Sequence, residues 1–160
     1  MKIGRLTASD RASAGIYSDL SGPEIEAALA ERFAGVDVTW ERVLVPDDQS
    51  AIEAALRNLA DISGCALIVT TGGTGPALRD VTPEATRAIL DKELPGFGEI
   101  QRMQTFAIAP TAILSRATAG TRGRCLIVNL PGKPSAVREC LAVLAPAIHK
   151  ALEILQETNP

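Results

Sequence analysis

A short apolar run followed by a glycine-rich loop constrains this chain more than any other stretch. The run at residues 65–69 predicts a buried strand, and the loop at residues 70–75 follows it directly. Three of the last four loop residues are glycines, which let backbone N–H groups approach an anion closely because no Cβ intervenes. A helix start follows at residues 82–84. The pattern predicts a phosphate-holding loop at the carboxyl end of a parallel strand, where open α/β sheets bind their ligands.

Strand and helix patterns alternate four times along the chain. Apolar or alternating segments predict strands over residues 3–8, 36–45, 65–69 and 124–130. Helical patterns begin at Pro23 and after Asp48, cover residues 83–92, and resume after the turn at residues 131–134, with short helical pieces at 97–107 and 111–116. Residues 9–22 read as a loop and residues 157–160 as a frayed end. The alternation predicts an α/β fold with a mostly parallel sheet and helices on both faces.

Composition narrows the class of protein. The chain has 160 residues, 46% hydrophobic and 3% aromatic, so we expect one domain over residues 1–160 with an aliphatic core. A net charge of −3 without a basic run argues against nucleic acid as a partner. No apolar stretch approaches about 18 residues and no secretory leader precedes the first strand, so we expect a cytoplasmic protein that does not enter a membrane. Cys65, Cys125 and Cys140 are scattered, which predicts buried, reduced thiols.

Four small, polar loops follow the four predicted strands, at residues 9–11, 46–48, 70–75 and 131–133. Because the carboxyl ends of parallel strands meet at one edge of a sheet, we expect all four loops to line a single pocket. That pocket would hold the glycine-rich loop, Lys133, Arg11 and the carboxylates Asp47 and Asp80. Cations and glycines suit phosphate, whereas carboxylates beside phosphate suit Mg²⁺. The sequence therefore predicts nucleotide chemistry at this edge.

Each part of this constellation also fits a purely structural role. Asp47 or Asp48 fits the N-cap of the following helix, and Asp80 fits a turn residue paired with Arg79. Lys133 fits a solvated turn lysine, and the glycines fit a tight turn. The loop is not a Walker A loop, because no Gly-Lys-Ser/Thr follows it, and it is not a G-x-G-x-x-G motif.

Two ring side chains stand apart from these motifs. His149 falls on the last helix, near its apolar stripe and away from every loop, which indicates a structural role. Tyr17 falls in the first loop, a position from which it would contact the ring of a ligand.

An ordered set of motifs resembles one known family. Residues 70–76, Thr-Thr-Gly-Gly-Thr-Gly-Pro, and residues 79–86, Arg-Asp-Val-Thr-Pro-Glu-Ala-Thr, resemble the signature of the MogA/MoaB family of molybdenum-cofactor proteins. Further motifs match in the family's order at residues 9–13, 19–23, 45–48, 94–99, 114–116, 119–120 and 129–134. The resemblance runs over residues 3–156 and extends to the G domain of gephyrin.

The resemblance implies a three-layer α/β/α fold that assembles as a homotrimer, with a hexamer as the alternative. It implies that molybdopterin and ATP, with Mg²⁺, give adenylyl-molybdopterin and pyrophosphate, and that the product passes to a MoeA-like molybdenum insertase. Asp47 and Asp80 would be the catalytic pair and would hold the metal. The other implied binding residues lie in the loops: Ser9, Asp10, Thr71, Gly72, Gly73, Thr74, Gly75, Ser115, Arg116, Pro131, Gly132 and Lys133.

Two other functions compete with this one. A catalytically silent MoaB-like protein would bind molybdopterin without turning over ATP, and another nucleotide or phosphosugar enzyme would have no affinity for a pterin. Asp47, Asp80 and the motif at residues 95–99 favour the adenylyltransferase. The sequence does not divide the roles of the two aspartates or distinguish molybdenum from tungsten. It also leaves four side chains open between the core and a subunit contact: Phe97, Gln101, Met103 and Phe106.

Overall fold

Six strands form one sheet in the computed structural model, which describes residues 1–157. The strands are β1 (Lys2–Ala8), β2 (Thr39–Val45), β3 (Leu67–Thr71), β4 (Lys92–Glu93), β5 (Ala119–Arg122) and β6 (Cys125–Leu130). They lie in the order β2-β1-β3-β6-β5-β4. β2, β1, β3 and β6 are parallel, whereas β5 runs antiparallel to β6 and β4 antiparallel to β5. The predicted mostly parallel sheet is confirmed.

Helices cover both faces of this sheet. They are α1 (Asp10–Ser13), α2 (Ser21–Arg32), α3 (Gln49–Arg57), α4 (Thr82–Arg87), α5 (Gly96–Phe106) and α6 (Pro134–Gln156). One π-helical turn, Asn58–Ile62, continues α3, and a 3₁₀ turn, Pro110–Leu114, follows α5. α2, α5 and α6 pack on one face, and α3 and α4 pack on the other. The arrangement is the predicted three-layer α/β/α fold.

The central strands are buried on both faces, which explains their continuous apolar sequence. Ile3, Leu67 and Leu126 are paired in register across β1, β3 and β6, and all three are fully buried on the α2/α6 side. Each such side chain contributes about 1.5–3 kcal/mol by leaving water. Ile68 and Ile127 point to the opposite core. This alternation anchors the carboxyl ends of the strands, and with them the loops that follow.

Several predicted boundaries are wrong in the first half of the chain. Residues 9–22 are not simply a loop, because Ser9 caps the short helix α1 by accepting a hydrogen bond from Ala12 N–H at 3.2 Å. Helix α2 begins at Ser21, two residues before Pro23. β2 begins at Thr39 rather than residue 36, because Gly35 turns the chain with φ +84° and delays the strand.

The second half holds two strands that the sequence did not predict. The helix predicted for residues 83–92 ends at Arg87, and Lys92–Glu93 instead pairs with β5. The short helical pieces predicted near residues 97–107 and 111–116 are confirmed as α5 and the 3₁₀ turn. Of the predicted frayed end, residues 158–160 lie outside the described residues.

The three cysteines and His149, for which the sequence predicts structural roles, pack within the fold as expected. Cys65, Cys125 and Cys140 are buried and form no disulfide among residues 1–157, as predicted. His149 stacks on Phe33 with ring centroids 4.4 Å apart, away from the loops at the carboxyl edge. Within the same residues, no helix combines the length and the apolar character needed to cross a bilayer.

The connections create a crevice between β1 and β3. The first long helix after β1, α2, packs on one face of the sheet, whereas the helix after β3, α4, packs on the other. The two loops therefore leave neighbouring strand ends in opposite directions, which opens a ligand-binding crevice. Gly72 fits the narrow end of this crevice because it adopts φ +90° and because a Cβ there would lie 2.3 Å from Ala8 O.

Candidate functional site

A cavity of about 330 Å³ lies in the crevice at the carboxyl edge. We call it the aspartate cavity, because Asp47 after β2 and Asp80 before α4 both line it. Four other predicted site residues form part of its wall: Ser9, Gly72, Gly73 and Gly132. The crevice thus brings together residues that are far apart in the chain, such as Ser9 and Gly132.

Hydrogen bonds fix Asp47 in this cavity. Asp47 Oδ2 accepts a hydrogen bond from Asp10 N–H, and Asp47 N–H donates one to Asp10 Oδ1, both at 3.0 Å. Asp48, not Asp47, caps α3, since Asp48 Oδ1 accepts from Ala51 N–H at 2.8 Å. The cap that the sequence assigned to either aspartate therefore belongs to Asp48, and Asp47 remains directed at the cavity.

Arg79 balances part of the negative charge. Its Nη2 lies 2.6 Å from Asp10 Oδ2, so Arg79 pairs with Asp10 and not with its neighbour Asp80. The hydrogen bond from Arg79 lowers the pKa of Asp10. Burial raises the pKa of Asp47 above its ordinary value, and the negative charges of Asp10 and Asp80 act in the same direction. A cation beside Asp47 would therefore stabilise its ionised carboxylate.

The aspartate pair fits a Mg²⁺ ion. Asp47 Oδ1 is buried and accepts no hydrogen bond from residues 1–157, so one carboxylate oxygen is unpaired beside the charge of Asp80. Mg²⁺ binds through one or two carboxylates together with water and phosphate oxygens. Within the described residues, no three His, Cys, Asp or Glu side chains are grouped to hold a metal by themselves. A cation at Asp47 and Asp80 would thus need further oxygens from water or from a substrate.

A second cavity, of about 290 Å³, is lined by the other half of the glycine-rich loop. We call it the lysine cavity. Its wall includes five of the predicted binding residues: Thr74, Gly75, Ser115, Pro131 and Lys133. The predicted single pocket is therefore wrong, because the site residues divide between two cavities. Arg11 is exposed on α1 and lines neither.

Backbone geometry explains the division. Gly72 and Gly73 adopt φ +90° and +63°, which turns the loop so that these residues line the aspartate cavity and the next two line the lysine cavity. Gly132 packs against Gly72, since a Cβ on Gly132 would lie 3.3 Å from Gly72 Cα. Lys133 is extended, with φ −85° and ψ 128°, so its side chain leaves on the other side.

Arg116 fastens the glycine-rich loop to α4. Its Nε donates to Gly75 O at 2.9 Å, its Nη2 donates to Asp80 O at 2.6 Å, and its guanidinium pairs with Glu84. Arg116 N–H also donates to Thr74 O at 2.8 Å. These bonds use most of the guanidinium donors, so Arg116 acts in this structure as a cross-link between the glycine-rich loop and α4. Its contact with a ligand stays a prediction.

Thr71 is likewise directed into the protein. Thr71 is buried, and its Oγ1 donates to Pro131 O at 2.6 Å. This hydrogen bond ties the end of β3 to the loop after β6. Thr71 thus holds together two segments that line the cavities, without lining either cavity itself. Its predicted role in binding stays a prediction.

Sequence reasoning missed a buried polar network under the site. Asn129 Nδ2 donates to Thr70 Oγ1 at 3.0 Å and to Thr86 Oγ1 at 2.9 Å, and Asn129 is fully buried. Gln101 Nε2 donates to Asn129 O at 3.1 Å, and Gln101 also lines the lysine cavity. An asparagine inside the apolar run Cys-Leu-Ile-Val-Asn-Leu is the feature of the sequence that indicates this network, because a buried amide needs hydrogen-bond partners.

The structure divides into two groups the four side chains that the sequence left open between the core and a subunit contact. Gln101 is buried, and Phe97 is partly buried and packs against the α2/α6 core. Met103 and Phe106 are exposed on the opposite side of α5. Met103 and Phe106 are therefore surface residues of the monomer, whereas Phe97 and Gln101 belong to its interior.

Comparison with known proteins points to one family. Residues 4–150 match the family described as a probable molybdopterin binding domain. The chain is 50% identical over 153 residues to a molybdopterin adenylyltransferase from Helicobacter pylori, covering 96% of this chain and 86% of that protein. It is 40% identical over 161 residues to gephyrin from Dictyostelium discoideum, covering 96% of this chain and 22% of gephyrin.

A solved structure shares the fold over nearly its full length. The crystal structure of the molybdopterin biosynthesis enzyme MoaB from Thermus thermophilus superimposes with a TM-score of 0.85 at 43% identity. The match covers 98% of this chain and 97% of that one. With the family match and the sequence relatives, it shows that this chain belongs to the molybdopterin-binding domain family that its motifs predicted.

Proposed function

We propose that this protein is a molybdopterin adenylyltransferase of molybdenum cofactor biosynthesis, which transfers the adenylyl group of ATP to molybdopterin. The observation that carries the proposal is the glycine-rich loop, because its consecutive residues line an acidic cavity and a lysine-containing cavity. Adenylyl transfer needs two polyanions to meet at one point, so much of the barrier is positional and electrostatic. The relative from Helicobacter pylori, 50% identical, carries the same activity in its name.

The two cavities suggest a division of substrates. The aspartate cavity suits the phosphates of ATP with Mg²⁺, since Asp47 and Asp80 supply carboxylates and Gly72 and Gly73 supply closely approachable backbone. The lysine cavity suits the phosphate of molybdopterin, because Lys133 and Arg102 are cations in its wall. Thr74 and Ser115 bring hydroxyl groups.

The reaction needs no strong base. An oxygen of the terminal phosphate of molybdopterin forms a bond to the α-phosphorus of ATP, and the bond from that phosphorus to the bridging oxygen breaks to release pyrophosphate. The attacking phosphate is already ionised, which agrees with a site whose predicted residues include no His or Cys. Mg²⁺, when bound, supplies charge neutralisation for the leaving pyrophosphate. The residues of this chain bind and align the two substrates.

A catalytically silent, molybdopterin-binding protein is the second candidate. This alternative comes from the MoaB branch of the family resemblance, and the Thermus thermophilus protein with a TM-score of 0.85 carries the name MoaB, although it is described as a biosynthesis enzyme. The unpaired Asp47 Oδ1 beside Asp80 weighs against it, because a protein that binds only the pterin has no use for a buried carboxylate oxygen without a partner next to a second carboxylate.

The assembly and the partner follow the family resemblance. We infer a homotrimer in the cytoplasm, with a hexamer as the alternative, that delivers its product to a MoeA-like insertase. Support for self-association comes from exposed apolar side chains on α5 and the turn after it: Met103, Phe106, Ile108, Ile113 and Leu114. Sedimentation equilibrium tests the assembly, and a monomer at micromolar concentration would contradict it.

Adenylylation of molybdopterin by the purified protein is the direct test. The protein is incubated with molybdopterin, ATP and Mg²⁺, and the adenylylated product is followed by chromatography. We expect product from the wild-type protein and none from Asp47→Ala or Asp80→Ala, with molybdopterin binding largely kept in both variants. Bound molybdopterin without any product from the wild-type protein would identify the silent class instead.

A further inference from the structure

A loop beside the aspartate cavity is firmly anchored near its C-terminal end. This loop, residues 14–20, connects α1 to α2 and contains Asp19. Asp19 Oδ2 accepts hydrogen bonds from Arg5 Nη1 at 2.6 Å and from Thr7 Oγ1 at 2.9 Å, and Asp19 Oδ1 accepts from Gly22 N–H at 2.9 Å. The side chains of Arg5 and Asp19 are each only 12% exposed. The loop is therefore held in place against the end of β1.

Two apolar side chains on either side of this anchor stay in solvent. Tyr17 is 51% exposed and Leu20 is 68% exposed, and both line the aspartate cavity. Exposure of this much apolar surface is unfavourable, and the Asp19 anchor prevents the two side chains from folding away. Tyr17 OH also lies 3.2 Å from Ser9 Oγ, which tethers the ring at the cavity wall.

The rest of the cavity has a different character. Asp47 and Asp80 are charged, Gly72 and Gly73 present backbone, and Ser9 presents a hydroxyl group. A ligand that satisfies the whole cavity must carry a phosphate chain for the polar part and a flat apolar group for Tyr17 and Leu20. ATP has both, since its purine ring is attached to its triphosphate through the ribose.

We propose that Tyr17 and Leu20 bind the adenine ring of ATP, with the ring of Tyr17 stacked on the base. The inference rests on the proposed function and deepens it by assigning a base-binding subsite to the same cavity. Stacking of an aromatic side chain on a base is worth about 1–3 kcal/mol by alanine substitution. The hydrogen bond to Ser9 restrains the ring and so lowers the cost of ordering it upon binding.

Binding of two ligands tests the subsite. ATP with Mg²⁺ is compared by calorimetry with inorganic tripolyphosphate, which keeps the phosphate chain and lacks the base. We expect Tyr17→Ala to weaken ATP about 5- to 100-fold and to leave tripolyphosphate within about twofold. Leu20→Ala should act in the same direction with a smaller effect. Tyr17→Phe keeps the ring and should bind ATP within about threefold of wild type.

Ile16→Ala is the matched control. Ile16 belongs to the same loop and is 72% exposed, but it does not line the aspartate cavity. Its removal should change neither affinity. Tyr17 is the only tyrosine of the chain, so its ring protons give one set of resonances, which ATP should shift through ring currents and tripolyphosphate should not.

The outcomes separate this inference from the proposed function. If the wild-type protein binds neither ATP nor tripolyphosphate, the proposed function fails and the subsite fails with it. If the wild type binds ATP and Tyr17→Ala binds it equally well, only the subsite is overturned. Equal weakening of ATP and tripolyphosphate in Tyr17→Ala would also overturn it, because the ring would then act on the phosphate part of the cavity.

Discussion

Asp10 and Asp47 each donate a backbone N–H to the carboxylate of the other, at 3.0 Å in both directions. This reciprocal pair joins the loop after β1 to the loop after β2. Because one oxygen of Asp47 is occupied by Asp10 N–H, the other is left for the cavity. Asp10 therefore positions Asp47, although the sequence suggested only that Asp10 binds a ligand.

Removal of the Asp10 carboxylate should weaken the reaction without abolishing it. Asp10→Ala takes away the acceptor of Asp47 N–H and the partner of Arg79 but keeps the backbone N–H that donates to Asp47 Oδ2, so the loop that carries Asp47 is held less firmly. We expect adenylylation to fall about 10- to 100-fold, as for residues that orient a metal ligand. The measurement is kcat as a function of Mg²⁺ concentration. Asp10→Asn, which keeps an acceptor, should lie in between, and an unchanged Mg²⁺ dependence in Asp10→Ala would contradict the positioning role.

A methyl group at Gly73 should damage both stability and activity. Gly73 adopts φ +63°, and a Cβ there would lie 2.4 Å from Thr82 Oγ1 and 3.2 Å from Asp47 Oδ1. Left-handed backbone and overpacking together should cost Gly73→Ala about 2–4 kcal/mol of unfolding free energy. Product formation should fall as well, since Asp47 must move.

Gly64→Ala is the control for this substitution. Gly64 has a similar φ of +68°, but a Cβ there meets nothing within 4 Å. Gly64→Ala should cost about 1–2 kcal/mol and leave adenylylation unchanged. Denaturant unfolding of both variants gives the comparison, and equal losses of stability would show that the contact with Thr82 is unimportant.

Substitution of Arg116 should lower stability and kcat, whereas substitution of Lys133 should raise KM for molybdopterin. Arg116→Ala releases Gly75 O, Asp80 O and Glu84, so we expect a loss of about 1–3 kcal/mol in unfolding free energy and a lower kcat. Lys133 is exposed, and its side chain makes no hydrogen bond or ion pair with the part of the chain that the structure describes, although its carbonyl accepts from Val137 N–H. Lys133→Ala should change stability by less than about 0.5 kcal/mol and raise KM for molybdopterin. Native stability in Arg116→Ala, combined with a raised KM, would instead identify Arg116 as a ligand-binding residue.

Alkaline pH should destabilise the fold through the three thiols. Burial raises the pKa of Cys65 to about 11 and those of Cys125 and Cys140 to about 12. In the unfolded chain a thiol ionises near pH 8.5. The folded state therefore keeps protons that the unfolded state releases, and stability is fully present below about pH 8.5 and declines as pH rises toward the folded pKa values. Each thiol contributes a slope of up to about 1.4 kcal/mol per pH unit.

Denaturant unfolding between pH 7.5 and about pH 9.5 measures this slope before lysine and tyrosine titrate strongly. Cys140→Ala should remove about one third of it, because one of three thiols is lost. A stability that is independent of pH in this window would show that the thiols are more accessible than their burial indicates.

Three of the four strands that the sequence predicted are those whose burial is visible in their residues, whereas β2 was predicted although none of its residues is fully buried. β3 and β6 are apolar on both faces, and β1 is mostly so, because helices cover both sides of the sheet. β5, with the sequence Ala-Gly-Thr-Arg, has no such pattern and exists because its backbone pairs with β6. β4 has two exposed residues and depends in turn on β5. Long-range pairing of this kind leaves no trace in local periodicity.

The site was predictable in its residues and not in its arrangement. Asp47 and Asp80 follow directly from the rule that loops after parallel strands share one edge. The separation into two cavities depends on the positive φ of Gly72 and Gly73 and on the extended backbone of Lys133, which composition does not reveal. The role of Arg116 depends on carbonyl groups that are 36 and 41 residues away in the chain.

The glycine-rich loop places side by side the two cavities that we propose as the sites of ATP and molybdopterin, with Gly73 on the wall of one and Thr74 on the wall of the other. A single synthetic molecule that carries a group for each site would pay the entropy of association only once. Its second group would bind at an effective concentration set by the tether, in the millimolar range for a short flexible one. The loop thereby makes this fold a natural target for bisubstrate inhibitors, whose optimal tether length would measure the separation of the two sites in solution.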